Sequence, residues 1–448
     1  MAYIPKQGKV LTKEEIKQII KEQNVVSLRL QFVDINGNVK NLCVPISQLD
    51  KALNNECMLD GSSIQGFRSI ETSDMYFYPD LSTFTILPWR ERGDKNEARI
   101  ICDIHNADGT PFEGCPRCNL KRVIAEAKEL GYTLNVGPEV EFFLFKKDEK
   151  GNTTLEPSDN AYYYDAAPKD EGEDVRADMV ETLQSMGFNI EASHHEGAAG
   201  QHEIDFKYDE ALVAADNVVT LKHVISEIAM EYGLHASFMP KPIYGINGSG
   251  MHCNVSLFKD GKNVFDAPNA EYGLSNEAKW TIGALLDNVE SFTAITNPLV
   301  NSYKRLVPGY EAPVYIAWSL ANRSALIRVP AKRGNATRVE LRSPDPSCNP
   351  YLVFATMLTI MLEGIKNQTP LRAPIEDNIY EMSKKEKTEK GIKSLPGSLN
   401  EALYIMKKSE VVKLALGEHI FNEFMSSKTQ EWNEYRTDVS GWEIKKYL

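Results

Sequence analysis

Residues 241–256 form a glycine-rich run, KPIYGINGSGMHCNVS, around one histidine, His252. Glycine brings backbone N–H groups close to an anionic ligand because it has no Cβ atom. The apolar–polar alternation after His252 predicts a strand, so this histidine lies where a loop meets a sheet edge. Such a junction suits a metal ligand beside a carboxylate or phosphate. A glycine-rich turn with a buried histidine is the simpler alternative.

Two glutamates, Glu139 and Glu141, precede the strongly apolar run FFLF. Residues i and i+2 of a strand point to the same face, so the two carboxylates are expected side by side. Near a core such a pair is costly unless a cation neutralises it. Hard oxygen ligands favour Mg²⁺ or Mn²⁺. A solvated edge face is the alternative, but the apolar continuation fits it poorly.

Residues 191–206 crowd three histidines and three glutamates around a Gly-Ala-Ala-Gly turn. The alternation that begins at Glu203 predicts a strand with Glu203 and Asp205 on one face. The spacing after His195-Glu196 does not match a HExxH zinc helix. A carboxylate-rich metal loop is therefore favoured over a solvated acidic loop.

An arginine-rich region follows, with Glu311 in a loop bounded by proline and glycine that is typical of a lid. Arg338, Glu340 and Arg342 alternate as in a strand, so Glu340 is either a ligand or an ion-pair partner of its neighbours. Arginine binds carboxylate or phosphate through two parallel hydrogen bonds. The other arginines of this region are Arg305, Arg323, Arg328 and Arg333.

Asp60 begins the small-residue run DGSS, and Arg68 follows eight positions later. An aspartate here can accept a proton at the rim of a site. It can equally cap its own turn through its side chain, and the composition alone favours the turn.

Together these residue types suit metal-assisted phosphoryl transfer to a carboxylate. The sequence has no GxxxxGK[ST] loop and no GxGxxG between a strand and a helix. Walker-type and Rossmann enzymes are therefore disfavoured.

The elements that must position these residues are read from periodicity. Periodicity predicts a small N-terminal α+β domain. Its elements are a capped helix over 12–24, a hairpin of 25–33 and 39–44 with a turn at 36–38, and strands at 83–87 and 98–103. Further helices are expected at 119–130, 174–186, 214–232 and 275–296. Residues 151–172 are expected to be irregular, and residues 350–448 helical around a turn-rich segment at 368–400.

The length, charge and cysteine content of the chain limit the classes of protein to which it can belong. The chain has 448 residues, long enough for two domains, and a net charge of −13, which argues against direct nucleic-acid or anionic-membrane binding. No apolar run is long enough to span a membrane, and the start lacks a signal-peptide pattern. Seven scattered cysteines, with one isolated C-x-x-C, are expected to be reduced thiols in a cytoplasmic protein.

The ordered motifs resemble bacterial type I glutamine synthetases of the non-adenylylated alpha subtype over essentially the full length. The resemblance rests on four runs: 59–63 with Ser73-Asp74, Glu139-Val-Glu141, 241–256, and 335–342. It implies an α+β protein, with a small β-grasp domain at residues 1–108. The catalytic domain at 109–448 would have an antiparallel sheet packed by helices. It also implies a homododecamer of two hexameric rings with active sites between subunits.

By the same resemblance the activity is ATP-dependent ligation of ammonia to L-glutamate through γ-glutamyl phosphate, with at least two Mg²⁺ or Mn²⁺ ions. Glu141, Glu196 and Glu203 resemble the ligands of one ion, and Glu139, His252 and Glu340 those of the other. The glutamate-binding residues would be Asn247, Gly248, Arg305, Glu311, Arg323 and Arg342. The ATP-binding residues would be Glu191, Asn254, Ser256, Arg323 and Arg328.

Asp60, Glu311 and Arg323 resemble catalytic residues, with Asp60 reaching the site of the adjacent subunit to deprotonate ammonium. Arg68 resembles a sensor of the product glutamine. A nitrogen-responsive repressor is a further implied partner. The rivals are a γ-glutamyl ligase for polyamines or other amines, a purely regulatory binding protein, and an inactive homologue.

Overall fold

The structure is a computed structural model that describes residues 3–5, 9–310 and 312–448. Two sheets organise the chain. The first contains the strands before residue 107, and the second contains the strands after residue 132.

The N-terminal sheet has the order β2-β1-β6-β4-β3, with β5 added beside β6. β1 and β6 run parallel, while β1 and β2 form the predicted hairpin with Val33 opposite Val39. The strands are β1 (Val25–Val33), β2 (Val39–Pro45), β3 (Met58–Asp60), β4 (Asp74–Pro79), β5 (Thr85–Ile86) and β6 (Asn96–Asn106). Helix α1 (Lys13–Glu22) begins with a capping box between Thr12 and Glu15 and buries Ile16 and Ile20, and α2 (Leu49–Leu53) follows β2.

The second sheet has the order β18-β15-β16-β17-β13-β7-β10-β9, with four short strands paired at its edges. Its pairs are antiparallel except β15 with β16, so the predicted antiparallel sheet is confirmed with one parallel exception. The strands are β7 (Thr133–Lys147), β8 (Thr153–Pro157), β9 (Ile190–His195), β10 (Gln201–Phe206), β11 (Asp209–Glu210), β12 (Leu234–Ser237), β13 (Met251–Lys259), β14 (Lys262–Asn263), β15 (Tyr315–Ser319), β16 (Ala325–Arg328), β17 (Val339–Leu341) and β18 (Lys393–Ser394).

Helices cover one face of this sheet. Val140, Phe142 and Leu144 point to that face from β7 and are fully buried in the main core with the apolar side of α8. The helices after α2 are α3 (Pro116–Glu129), α4 (Glu173–Ser185), α5 (Ala211–Glu231), α6 (Asn276–Thr296), α7 (Ser302–Arg305), α8 (Pro350–Asn367), α9 (Lys384–Glu389), α10 (Leu399–Met406), α11 (Glu410–Tyr435) and α12 (Gly441–Tyr447). None of the helices within the described ranges is both long and apolar enough to cross a lipid bilayer.

Arg117 on α3 links the N-terminal sheet to helix α5. Its guanidinium lies 2.8 Å from carboxylate oxygens of Asp80 and Asp103 at the N-terminal sheet and 2.8 Å from Asp216 on α5. The arginine side chain is only 4% exposed, so this ion-pair network is a buried link between the two parts of the chain.

Three segment predictions were wrong in extent. The strand predicted at 83–87 is reduced to Thr85–Ile86, because Asp80 caps a tight turn through Ser82 and Pro88 starts the next turn. The irregular stretch at 151–172 contains β8, and the alternating run 338–342 keeps only Val339–Leu341 as strand.

Candidate active site

The predicted carboxylates lie on the open face of the second sheet, opposite the helices. Directly opposed residues of neighbouring strands share a face, so the register can be followed across the sheet. The opposed pairs are His194 with Glu203, Glu203 with Glu141, Asp205 with Glu139, Glu139 with His252, Asn254 with Glu340, and Glu340 with Arg328. Six strands thus place acids, histidines and an arginine on one surface.

Glu139, His252 and Glu340 form the first cluster, with one potential ligand atom of each within 4.8 Å of the others. His252 Nδ1 lies 3.3 Å from Glu139 Oε2 and 3.9 Å from Glu340 Oε1. Burial by itself would raise the pKa of Glu139, but hydrogen bonds with His252 and Asn254 lower it to about 2. The structure therefore brings together the three residues predicted to share one ion.

Glu340 is completely buried and is held by two arginines. Arg328 Nε donates to Glu340 Oε2 at 2.5 Å, and Arg342 Nη1 donates to Oε1 at 2.7 Å. Both alternatives for Glu340, a ligand or an ion-pair partner, are thus compatible with its position. The sequence neighbour Arg338 instead donates to Asn254 Oδ1 at 2.9 Å, because β17 begins only at Val339 and does not include it.

The second cluster consists of His194, Glu196 and Glu203, again with ligand atoms within 4.8 Å. His194 Nδ1 lies 3.8 Å from Glu196 Oε1, and its Nε2 lies 3.6 Å from Glu203 Oε1. His194 was not predicted to be a ligand; its place opposite Glu203 depends on the β9–β10 pairing.

Glu141 adjoins this second cluster across the strand pair. It accepts hydrogen bonds from Gln201 Nε2 at 3.0 Å and from the Gly250 N–H at 2.8 Å. Burial and the nearby charge of Glu196 raise the pKa of Glu141 to about 8. Burial and repulsion from Asp205 raise the pKa of Glu203 well above its usual value. Such crowding shows that this part of the site is short of positive charge.

A buried aspartate, Asp159, forms hydrogen bonds with the hairpin that carries Glu196 and Glu203. Its Oδ1 lies 2.9 Å from His195 Nε2 and accepts the Gly200 N–H at 3.0 Å. His195 Nδ1 lies 2.7 Å from the Glu196 carbonyl oxygen. The turn between the two acids therefore has a fixed conformation.

The glycine-rich loop covers the acidic face. Phe143 and Phe145 continue the face of Glu141 and pack against Ile243 and Ile246 of the loop. A Cβ atom at Gly248 would lie 2.2 Å from the Pro240 carbonyl oxygen, so this position accepts no side chain without a shift of the backbone. The loop backbone approaches the acidic face closely at Gly250, whose N–H donates to Glu141 Oε2 at 2.8 Å.

Arg305 lies beside this loop. Its guanidinium donates to the carbonyl oxygens of Ser343 at 2.7 Å and Arg342 at 3.2 Å. A Cβ atom at Gly250 would lie 2.6 Å from Arg305 Nη2, so the arginine directly borders the loop. Asn247 faces the acidic hairpin, since a Cβ atom at Gly197 would lie 3.3 Å from Asn247 Nδ2.

The predicted ATP-binding residues divide into two groups. Asn254 and Ser256 follow His252 at strand spacing on β13, and Arg328 lies two strands away on the same surface. Glu191 is exposed on β9, and Arg323 is in the turn between β15 and β16. Glu311, predicted to belong to the lid, lies outside the described residues.

Asp60 and Arg68 lie apart from the acidic face, at the N-terminal sheet. Asp60 accepts hydrogen bonds from Ser62 and Ser63 in its own turn, which lower its pKa, so the predicted turn role is present. Arg68 lies 2.8 Å from Glu113 Oε1, donates to Asn106 at 2.9 Å and stacks over Phe112.

Both parts of the chain match known protein families. The glutamine synthetase catalytic domain matches residues 113–447, and the glutamine synthetase beta-grasp domain matches residues 24–107. A glutamine synthetase of Clostridium saccharobutylicum is 58% identical over 437 residues, covering 98% of each chain. One of Staphylococcus aureus is 56% identical over 441 residues, covering 98% of this chain and 99% of the relative.

Two solved structures superpose closely on this chain. The cryo-EM structure of Plasmodium falciparum glutamine synthetase superposes with a TM-score of 0.87 at 26% identity, covering 99% of this chain and 100% of that one. A complex of GmaS with ADP gives 0.87 at 30% identity, covering 96% and 98%. With both domains matched in order and more than half of the residues shared with bacterial relatives, this chain belongs to the glutamine synthetase family.

Proposed function

We propose that this protein joins ammonia to the γ-carboxylate of L-glutamate, with cleavage of ATP to ADP and phosphate. The observation that carries the proposal is the single sheet face that holds five carboxylates and His252 between a glycine-rich loop and buried arginines. Family membership and the named bacterial relatives support the same activity.

Divalent cations fit this face. Its donors are mostly hard carboxylate oxygens, and the raised pKa values of Glu141 and Glu203 reflect negative charge in excess of what the nearby arginines neutralise. Glu139, His252 and Glu340 would hold one Mg²⁺ or Mn²⁺ ion. Glu141, Glu196 and Glu203 would hold another, with His194 beside them. When bound, the ions neutralise phosphate oxygens of ATP.

Arginines and the loop orient the two substrates for the first step. Arg305, Arg342 and Arg323, with Asn247 and Gly248, bind glutamate, while Arg328, Asn254, Ser256 and Glu191 line the path of ATP. A γ-carboxylate oxygen then attacks the γ-phosphorus, and the bond from that phosphorus to the β,γ-bridging oxygen breaks. The products are γ-glutamyl phosphate and ADP, with arginine charge stabilising the transferred group.

Ammonia completes the second step. Asp60, ionised because Ser62 and Ser63 hydrogen-bond its carboxylate, accepts a proton from ammonium at the site of a neighbouring subunit. The nitrogen attacks the acyl carbon, the bond to the phosphate oxygen breaks, and phosphate leaves with the proton that the new amide nitrogen loses. Glu311, in the predicted lid, would exclude water from the acyl phosphate.

Family membership also supports a proposal for assembly and regulation. We infer a homododecamer of two hexameric rings and a division into residues 1–108 and 109–448. Arg68 would sense glutamine by exchanging its ion pair with Glu113 for the ligand, and a nitrogen-responsive repressor is a candidate partner. All seven cysteines are free thiols, which supports a reducing, cytoplasmic location.

The experiment that tests the proposal measures phosphate and glutamine with ATP, Mg²⁺ and glutamate, with and without ammonium. We expect both products to require ammonium and to disappear in Glu340→Gln, whose thermal unfolding is measured to confirm folding. Glu156→Gln, at an exposed carboxylate on the edge strand β8 outside both clusters, is the matched control. Turnover with putrescine or ethanolamine but not ammonium would instead identify a ligase for another amine.

The proposed role of Arg68 as a glutamine sensor is tested by a separate measurement. Inhibition by glutamine is expected to weaken in Arg68→Ala while turnover without glutamine is retained. Unchanged inhibition would remove Arg68 from the sensor role.

A further inference from the structure

A narrow cavity lies between the N-terminal sheet and the helices of the catalytic region, away from the acidic face. β1 and β6 contribute one wall, α5 and Tyr351 of α8 the other. About 20 Å³ is open to the centre of a water-sized sphere. One water requires roughly 10–15 Å³ by the same measure, so only something very small fits.

Two hydrogen-bond donors in this cavity have no partner. Arg99 Nη1 and Trp89 Nε1 are both buried, both residues line the cavity, and neither atom has an acceptor among the described residues. Buried donors without acceptors are rare in native proteins because each costs the full loss of its hydration. Two in one cavity indicate a bound acceptor.

The charge of Arg99 makes that acceptor an anion. Burial lowers the pKa of Arg99 to about 10, which still leaves the guanidinium protonated at neutral pH. Its side chain donates from Nη2 to the neutral hydroxyl of Thr220 at 3.0 Å. Asp216, an acid whose charge reaches Arg99, is already bound by Arg117 and by the Tyr351 hydroxyl at 2.7 Å.

The other lining residues supply no negative charge. Those that the structure describes are apolar or neutral, with no aspartate or glutamate among them. His223 is uncharged at neutral pH because burial lowers its pKa, and its Nε2 faces Glu227 at 3.3 Å. The cavity therefore presents one positive charge and a second N–H donor, with no acidic side chain among its described lining residues.

We propose that Arg99 and Trp89 form a binding site for one small monovalent anion of about the size of chloride. Larger oxyanions such as phosphate exceed the space. The anion accepts hydrogen bonds from Arg99 Nη1 and Trp89 Nε1 and compensates the buried guanidinium. Since the cavity lies where the N-terminal sheet meets α5, the bound anion stabilises the contact between the two domains.

Bromide tests the site directly in crystals of the full-length protein. We expect an anomalous bromide peak within about 3.5 Å of both donor atoms in the wild type, and no such peak in Arg99→Gln. A wild-type cavity that holds water or nothing under saturating bromide overturns the proposal.

Thermal unfolding provides a second readout, with sodium gluconate replaced by sodium chloride at constant ionic strength. The wild-type midpoint should rise and saturate, and Arg99→Gln should lose this response. Trp89→Phe removes the indole N–H but keeps the charge of Arg99 and an aromatic ring in the wall, so it remains informative if Arg99→Gln does not fold. It should raise the half-saturating chloride concentration at least about tenfold.

Arg92→Gln, on an exposed turn of the same sheet, is the matched control and should respond as the wild type does. An equal chloride response in all four proteins would show a general salt effect and overturn the site.

Discussion

Glu139 and His252 face each other across two antiparallel strands, with the carboxylate Oε2 3.3 Å from the imidazole Nδ1. The two residues are 113 positions apart in the chain, yet the register of β7 and β13 makes them direct neighbours. Glu340 of β17 lies opposite Asn254 of β13, and its Oε1 is 3.9 Å from the same imidazole Nδ1. This three-strand arrangement is the basis of the first prediction.

Replacing His252 by alanine should remove one divalent-ion site and leave the other. Manganese titration followed by electron paramagnetic resonance should fall from about two bound ions per subunit to about one, and turnover should fall at least about 100-fold. Lys262→Gln, exposed beyond the end of β13, is the control and should keep both ions. Two ions retained in His252→Ala would contradict the ligand role.

Asp60 should act on the site of a neighbouring subunit, because within its own chain its carboxylate is hydrogen-bonded by serines of its turn region and lies apart from the acidic face. Inactive Asp60→Asn and Glu340→Gln subunits, unfolded, mixed equally and reassembled together, should regain activity. In a head-to-tail ring about one quarter of the sites would combine two intact residues. No recovery, with reassembly confirmed by light scattering, would place Asp60 at the site of its own chain or outside catalysis.

Gly248→Ala should disturb the loop over the acidic face. The new methyl group would lie 2.2 Å from the Pro240 carbonyl oxygen, so the loop backbone must move. A displacement of about 1 Å at an active site can reduce turnover by about 100-fold. Gly397→Ala meets only ordinary contact, 3.6 Å from Glu401, and should be active. Normal steady-state kinetics of Gly248→Ala would show that the loop tolerates this shift.

Arg117→Met should destabilise the protein by about 3–5 kcal/mol, since it leaves three carboxylates near the domain contact without their shared cation. Urea unfolding measures the change. Lys128→Met, exposed on the same helix, should shift the free energy of unfolding by less than about 0.5 kcal/mol. Equal effects of the two substitutions would show that the network contributes little.

Asp80 should make stability depend on pH in the acid range. Burial would raise its pKa, but Arg117, Ser82 and Lys121 lower it from 3.8 to about 2. A carboxyl group whose pKa is lower in the folded state stabilises the fold at pH values above its unfolded-state pKa. This contribution of about 2 kcal/mol is lost as pH falls from about 4 towards 2. The difference in unfolding free energy between wild type and Asp80→Asn should therefore shrink as pH falls from about 4 towards 2. A constant difference would show that Asp80 has an ordinary pKa.

Local patterns were enough to predict much of this molecule. The Thr12 cap, the β1–β2 hairpin and the shared face of Glu139 and Glu141 all depend on residues a few positions apart, where helix and strand periodicity act directly. The motif order also identified the family and the three residues of the first cluster.

Pairing between distant strands decided the rest. His194 joins Glu196 and Glu203 only because β9 and β10 pair in one register, and Arg328 displaces Arg338 as the partner of Glu340 because β16 aligns with β17. The unpaired donors of Arg99 and Trp89 exist only where the N-terminal sheet meets α5. A sequence specifies which way side chains point along one strand. Which strands become neighbours is set by the packing of the whole core, and that relation joins residues more than a hundred positions apart.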